Sequence, residues 1–154
     1  MRKKLLSPAE EEVLGYSWRG LSSSEIAETL GKKIAYISKT KGTIRRKINE
    51  GLERLAKSLQ LDYEELSIKD GRSILEGYQF AVDTPVYLFF TIKEGFIAWY
   101  RHSNCRRSDS RHHKCLDTLT MVKDERNIPF DKEEDMSNEY DKIWAWIKEQ
   151  GDLI

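Results

Sequence analysis

Two cysteines and the three histidines of this chain fall within fourteen residues of one another. His102-Ser103-Asn104-Cys105 and His112-His113-Lys114-Cys115 repeat one pattern, His-x2-Cys, with six residues between the copies. Two thiolates and two imidazoles are a zinc set, and paired ligands two or three residues apart can bite one tetrahedral ion. The stretch between them is short and polar, with nothing to bury, so a metal would explain its order. The expected ligands are His102, Cys105, His112 and Cys115, with His113 competing against His112. Common zinc motifs place longer spacers between their ligand pairs. Four protein ligands leave no open coordination position, so the expected zinc is structural. Two other readings stay open. One is a pair of redox-responsive thiols, and the other a basic loop with incidental Cys and His. Arg101, Arg106, Arg107, Arg111 and Lys114 lie in the same stretch; they would raise the thiolate character of the cysteines, meet phosphates, or bind an acidic ligand or protein.

A second concentration of cations lies at the other end of the chain. The net charge of the 154 residues is zero, but residues 1–59 hold 13 Lys/Arg against 7 Asp/Glu, a net of +6. Residues 60–99 carry −4, residues 100–115 carry +4, and residues 116–154 carry −6. A basic first third suits a polyanionic partner. The acidic remainder argues that the whole surface is not one nucleic-acid face. The segment from Asp131 to Asp135 is read as a solvated acidic stretch.

These cations need elements to position them. Ser7-Pro8-Ala9-Glu10 reads as an N-cap, a proline at the first helical position and a Glu three residues after the cap. Val13, Leu14 and Trp18 follow on one helical face, and Gly20 breaks the helix. Ser22-Ser23-Ser24-Glu25 repeats the capping spacing and opens a short second helix that buries Ile26, Ala27 and Leu30. Gly31 supplies a positive-φ stop. A third helix is expected to start near Lys33 and carry Ile34 and Ile37 inward. Ala27, Gly31 and Ile37 have the spacing of a small contact residue, a turn glycine and a branched apolar residue facing back. That is a helix-turn-helix.

The run Leu6-Ser7-Pro8-Ala9-Glu10-Glu11-Glu12-Val13-Leu14, then Gly20-Leu21-Ser22, then Glu25-Ile26-Ala27-Glu28-Thr29-Leu30-Gly31 resembles the LuxR-type helix-turn-helix. It is also similar to region 4 of bacterial sigma factors. The continuation Ala35-Tyr36-Ile37-Ser38 into Ile44-Arg45-Arg46-Lys47-Ile48 is closer to the archaeal Tfx-type transcription regulators, which extend the third helix. The resemblance covers residues 5–59. Lys32 and Lys33 stand where those families usually have a small apolar residue and then Ser or Thr. Thr40 stands where an apolar residue is usual, and Gly42 interrupts the extension. The resemblance implies that the third helix enters the major groove of double-stranded DNA. Its exposed candidates for base edges are Lys33, Tyr36, Ser38 and Lys39. Lys41, Arg45 and Arg46 are expected on phosphates, which position a protein without reading sequence.

Ile44, Ile48, Leu52, Leu55 and Leu59 form one apolar helical stripe. It can cover the helical core, pack on a second domain, or pair with its copy in a dimer. Gly51 argues against a long coiled coil, since an internal glycine costs about 1 kcal/mol against alanine. After Leu61 the character changes, and Asp62-Tyr63-Glu64-Glu65 and Lys69-Asp70-Gly71 are polar and turn-rich. The expected domains are therefore 1–61, a helix-turn-helix, and 62–154, which senses an effector, binds metal or mediates interaction. Strands are expected over 78–82, over 86–92 after Pro85, and over 96–100, with a turn at Lys93-Glu94-Gly95. Leu116, Leu119 and Val122 suggest a helix, as do Ile143, Trp144 and Ile147. The aromatics Tyr78, Phe80, Tyr87, Phe89, Phe90, Phe96, Trp99 and Tyr100 form a core or line a ligand pocket. The fold class is α+β: a helical domain, then a small antiparallel sheet with C-terminal helices.

No apolar run approaches the ~18 residues needed to cross a bilayer, and the basic start has no apolar stretch of signal-peptide length behind it. The expected compartment is the cytoplasm, where two cysteines argue against a structural disulfide. No phosphate loop, Gly-x-Gly-x-x-Gly, Gly-x-Ser-x-Gly or His-Glu-x-x-His occurs, so an enzyme has the least support. The expectation is a sequence-specific transcriptional regulator, with a homodimer formed through the C-terminal domain or the 44–59 helix. The rival is a zinc-stabilised protein-interaction adaptor of the transcription machinery.

Overall fold

The computed structural model describes residues 4–63, 74–101, 113–129, 132 and 134–150. The first helix, α1 (Pro8–Trp18), begins where the sequence says it must. Ser7 Oγ accepts the Glu10 N–H at 3.2 Å, and Glu10 Oε1 accepts the Ser7 N–H at 2.8 Å. This reciprocal pair satisfies two amide donors that the helix itself cannot. The same device opens α2 (Ser23–Leu30), where Ser22 and Glu25 exchange bonds of 3.1 and 3.2 Å. Gly31 ends α2 at φ 63°, and the Lys32 N–H returns to the Ala27 carbonyl at 2.9 Å. A side chain at that φ is strained, which is the reason for glycine.

The third helix, α3, runs unbroken from Ile34 to Ser58, 25 residues. The interruption expected at Gly42 does not occur. An exposed interior glycine costs about 1 kcal/mol. Ile37, Ile44, Ile48 and Leu52, all fully buried, contribute about 1.5–3 kcal/mol each, so packing overrides the local penalty. Ile37 points inward as expected; Ile34 does not and is 54% exposed. Its place is the first turn, beyond the reach of the α1–α2 core. Leu30 is only half-buried.

Four antiparallel strands follow in the spatial order of the chain: β1 (Asp62–Tyr63), β2 (Ile74–Gln79), β3 (Thr84–Thr91) and β4 (Gly95–Tyr100). Leu88 stands opposite both Leu75 of β2 and Ala98 of β4. The strand expected over 78–82 is displaced toward the N-terminus. Phe80-Ala81-Val82 forms the β2–β3 turn instead, with Asp83 at φ 51° and with Phe80 and Val82 exposed. Two helices complete the fold, α4 (His113–Arg126) and α5 (Met136–Gln150). The architecture is α+β, as the sequence implies.

Strand β3 is buried on both faces, so its sequence is a continuous apolar run rather than an alternating one. Val86, Leu88 and Phe90 face the helical side and join Val13, Leu14, Ile26, Ile44, Ile48 and Leu52 in one core. Tyr87 and Phe89 face the other side and pack with Leu119, Val122, Tyr140, Ile143 and Trp144. The sheet is thus the middle of three layers. The chain changes from helix to strand near residue 61, and the first core runs across that point. The 44–59 stripe is taken up inside this core, against both the helices and the sheet. Gly51 has a specific reason: a Cβ there would overlap the Phe96 ring, which lies directly on the α3 backbone. Most of the aromatic set is core. Tyr87 stacks between Trp99 and Trp144, at centroid distances of 5.6 and 4.5 Å.

One buried cation joins the layers. The Arg126 guanidinium lies 3.9 Å above the centroid of the Trp18 ring, and its Nη2 donates to the Phe90 carbonyl at 2.8 Å. Burial pushes its pKa down to about 10, opposed by nearby Glu125, so it remains charged at neutral pH. None of the helices, among the described residues, is long and apolar enough to cross a membrane.

Candidate nucleic-acid interface

The N-terminal half of α3 is where the sequence-derived candidates gather. Lys33 is the exposed N-cap residue, and its side chain makes no capping bond. Tyr36, Ser38 and Lys39 follow, all exposed. Tyr36 leaves 41% of its surface to solvent. The Lys32 ammonium sits 5.6 Å from the Tyr36 centroid, close enough for a cation–π contact that brings charge to the ring.

The three cations expected on phosphates divide. Arg46 is exposed, and its ion pair with Glu50 one turn on is 3.5 Å long between side chains 60% and 56% exposed. Such a pair is worth little and opens readily. Lys41 and Arg45 are half-buried, and each is already engaged within the chain. They flank the apolar side of α3, whereas Lys39 and Arg46 project from the side opposite Ile37, Ile44 and Ile48.

The base of this surface is anchored to α1. Lys47 Nζ donates to Glu10 Oε1 at 2.7 Å, the oxygen that also caps α1. Burial works to raise the Glu10 pKa. The Lys47 ammonium and the Ser7 donors outweigh it and hold the carboxyl below its ordinary value. Thr40 and Thr43 turn their hydroxyls back to the Tyr36 and Lys39 carbonyls, at 2.8 and 3.2 Å. Thr40, placed where an apolar residue is usual, is thereby satisfied within its own helix. Between the start of α1 and this face lies a shallow groove of about 360 Å³, bordered by Ser7, Ala9, Tyr36, Lys39 and Thr43.

Of the four residues expected to hold zinc, His102, Cys105 and His112 lie outside the described residues. Cys115 is half-buried in the first turn of α4, where its carbonyl accepts the Tyr140 hydroxyl at 3.2 Å. Among the described residues there is no group of three or more His, Cys, Asp or Glu side chains placed to hold an ion.

Two arrangements had no sequence signal. Arg101 grips Asp141 with Nε and Nη2, while the Tyr87 hydroxyl donates to the same carboxylate at 2.8 Å. Burial pushes the Tyr87 pKa up, and Asp141 adds to it. The second is the Arg126–Trp18 contact. Both join residues far apart in the chain. Lys32, assigned no role from the sequence, sits beside Tyr36. Comparison of the chain with protein-family models, curated proteins and solved structures returns no match.

Proposed function

We propose that this chain is a sequence-specific, double-stranded DNA-binding transcriptional regulator that uses a LuxR/Tfx-like helix-turn-helix, with the N-terminal half of α3 entering the major groove. The observation that carries this reading is the exposed surface of Lys33, Tyr36, Ser38 and Lys39 on the first turns of a helix set against α2 by the left-handed Gly31 turn. Lys and Ser donors at that position suit base edges, and Arg46, about two turns beyond Lys39, suits a phosphate. The C-terminal sheet and helices are read as the part that binds zinc or senses an effector. The protein acts by binding rather than by catalysis, in the cytoplasm, as a homodimer.

The test is binding to a mixed-sequence DNA duplex across a salt series. Log affinity should fall linearly with log salt, by about 0.9 for each phosphate contact. A salt-independent affinity, or none, would overturn the proposal. The rival adaptor reading is favoured by one observation, the exposed Phe80 and Val82 at the tip of the β2–β3 turn, 71% and 58% accessible. It predicts no salt-dependent DNA binding.

A further inference from the structure

Gly42 has no reason among the described residues of its own chain. It lies in the middle of α3. Its φ is not positive, and a Cβ built on it meets nothing within 4 Å. It contrasts with Gly51 on the same helix, where a ring fills the space a side chain would need. It contrasts too with Gly20 and Gly31, whose φ values of 93° and 63° require glycine. A residue that weakens its helix and gains nothing among the described residues is explained when something outside needs the space.

The position says what that is. Lys39, Gly42 and Arg46 are spaced three and four apart, which puts them on one line of the helix. All three are exposed, on the side opposite the buried Ile37, Ile44 and Ile48. Lys39 and Arg46 stand about 10 Å apart along the axis, with the bare backbone of Gly42 between them. Two long cationic side chains bordering an uncovered stretch of helix backbone form a seat for an anionic strand.

We infer that Gly42 is the point of closest approach between α3 and DNA, where the sugar-phosphate backbone lies against the helix and Lys39 and Arg46 close over it from either side. This rests on the DNA-binding reading above, moves Lys39 in it from a base edge to a phosphate, and adds Gly42 as a positioning residue. A Cβ would stand roughly 1.5 Å out from Cα, enough to lift the strand off the helix and lengthen both ion pairs at once.

The experiment compares wild type, Gly42→Ala and Gly42→Leu for thermal stability and for binding to a fluorescent mixed-sequence duplex at low salt. Gly42→Ala should raise the Tm by about 3 °C and weaken binding roughly tenfold, and Gly42→Leu should weaken it further, with a lower salt slope in both. Stability and binding moving in opposite directions is the expected signature. If wild type binds the duplex and Gly42→Ala binds equally well, this inference fails and the DNA-binding reading stands. If wild type does not bind, both fail.

Discussion

Glu10 and Lys47 are joined at 2.7 Å across 37 residues of sequence, through the same carboxylate oxygen that caps α1. The start of the first helix and the middle of the third are therefore fixed by one group. Hydrogen bonds to a charged group contribute about 1.5–3 kcal/mol. Glu10→Gln is expected to lower the Tm at neutral pH by about 3–6 °C. The folded-state pKa of Glu10 lies below its ordinary value near 4.5. Its contribution is therefore complete above the unfolded pKa and is lost as pH falls through the folded one. The gap between wild type and Glu10→Gln should close on acidification below roughly pH 4. A gap that is constant across the pH series would mean that the carboxylate charge contributes nothing.

The division among the α3 cations predicts unequal effects on DNA binding. Arg46→Ala should flatten the salt slope by about 0.9, one phosphate contact. Arg45→Ala should flatten it less, because Arg45 is half-buried and already engaged. Tyr36→Ala should reduce discrimination between a footprinted genomic site and random duplex by about 1–3 kcal/mol, while total binding to random DNA changes little. Equal loss on both duplexes would place Tyr36 off the reading face.

Protein purified without chelator under reducing conditions is predicted to carry about one zinc per chain, held by His102, Cys105, His112 and Cys115. Thiolate ligands must shed protons, so binding should weaken as pH falls. Cys105→Ser and Cys115→Ser should each release the ion, and His113→Ala should not. Elemental analysis that finds no metal removes the zinc reading.

Gly51→Ala should destabilise, although alanine ordinarily favours a helix by about 1 kcal/mol. The new methyl would meet the Phe96 ring, and such overpacking costs about 1–3 kcal/mol. Gly51→Ala combined with Phe96→Leu should recover much of the loss, as measured by denaturant midpoint. A single substitution that raises the midpoint would show that the ring moves aside at no cost.

Signals confined to a few neighbouring residues were legible in the sequence. Both capping boxes and the left-handed Gly31 are local chemistry, and each stands where the spacing puts it. The β2 strand was misplaced because Tyr78-Gln79-Phe80-Ala81-Val82 alternates like a strand. Its apolar residues Phe80 and Val82 sit on an exposed turn, while Ile74 and Leu75 carry the buried part. Gly42 reads as a break by propensity, but α3 is held together by tertiary burial on either side of it. Arg126 and Trp18 are separated by most of the chain, and nothing near either residue announces the other. Arg101 and Asp141, 40 residues apart, likewise carry no local signal of each other. In the candidate interface, exposure distinguishes Lys39 and Arg46 from Lys41 and Arg45, a distinction that residue type alone does not make.

The continuity of α3 makes it a lever. It is one helix of 25 residues, about 37 Å long, with no joint between the end that carries Tyr36 and the part on which Phe96 rests. From Gly51 to Tyr36 the arm is about 22 Å. A tilt of about 5° at the Phe96 fulcrum would therefore carry Tyr36 through about 2 Å, more than a hydrogen bond to a base edge tolerates. A shift of β4 that tilted α3 in this way would carry α1 and α2 with it, because they share its core and Glu10 holds Lys47.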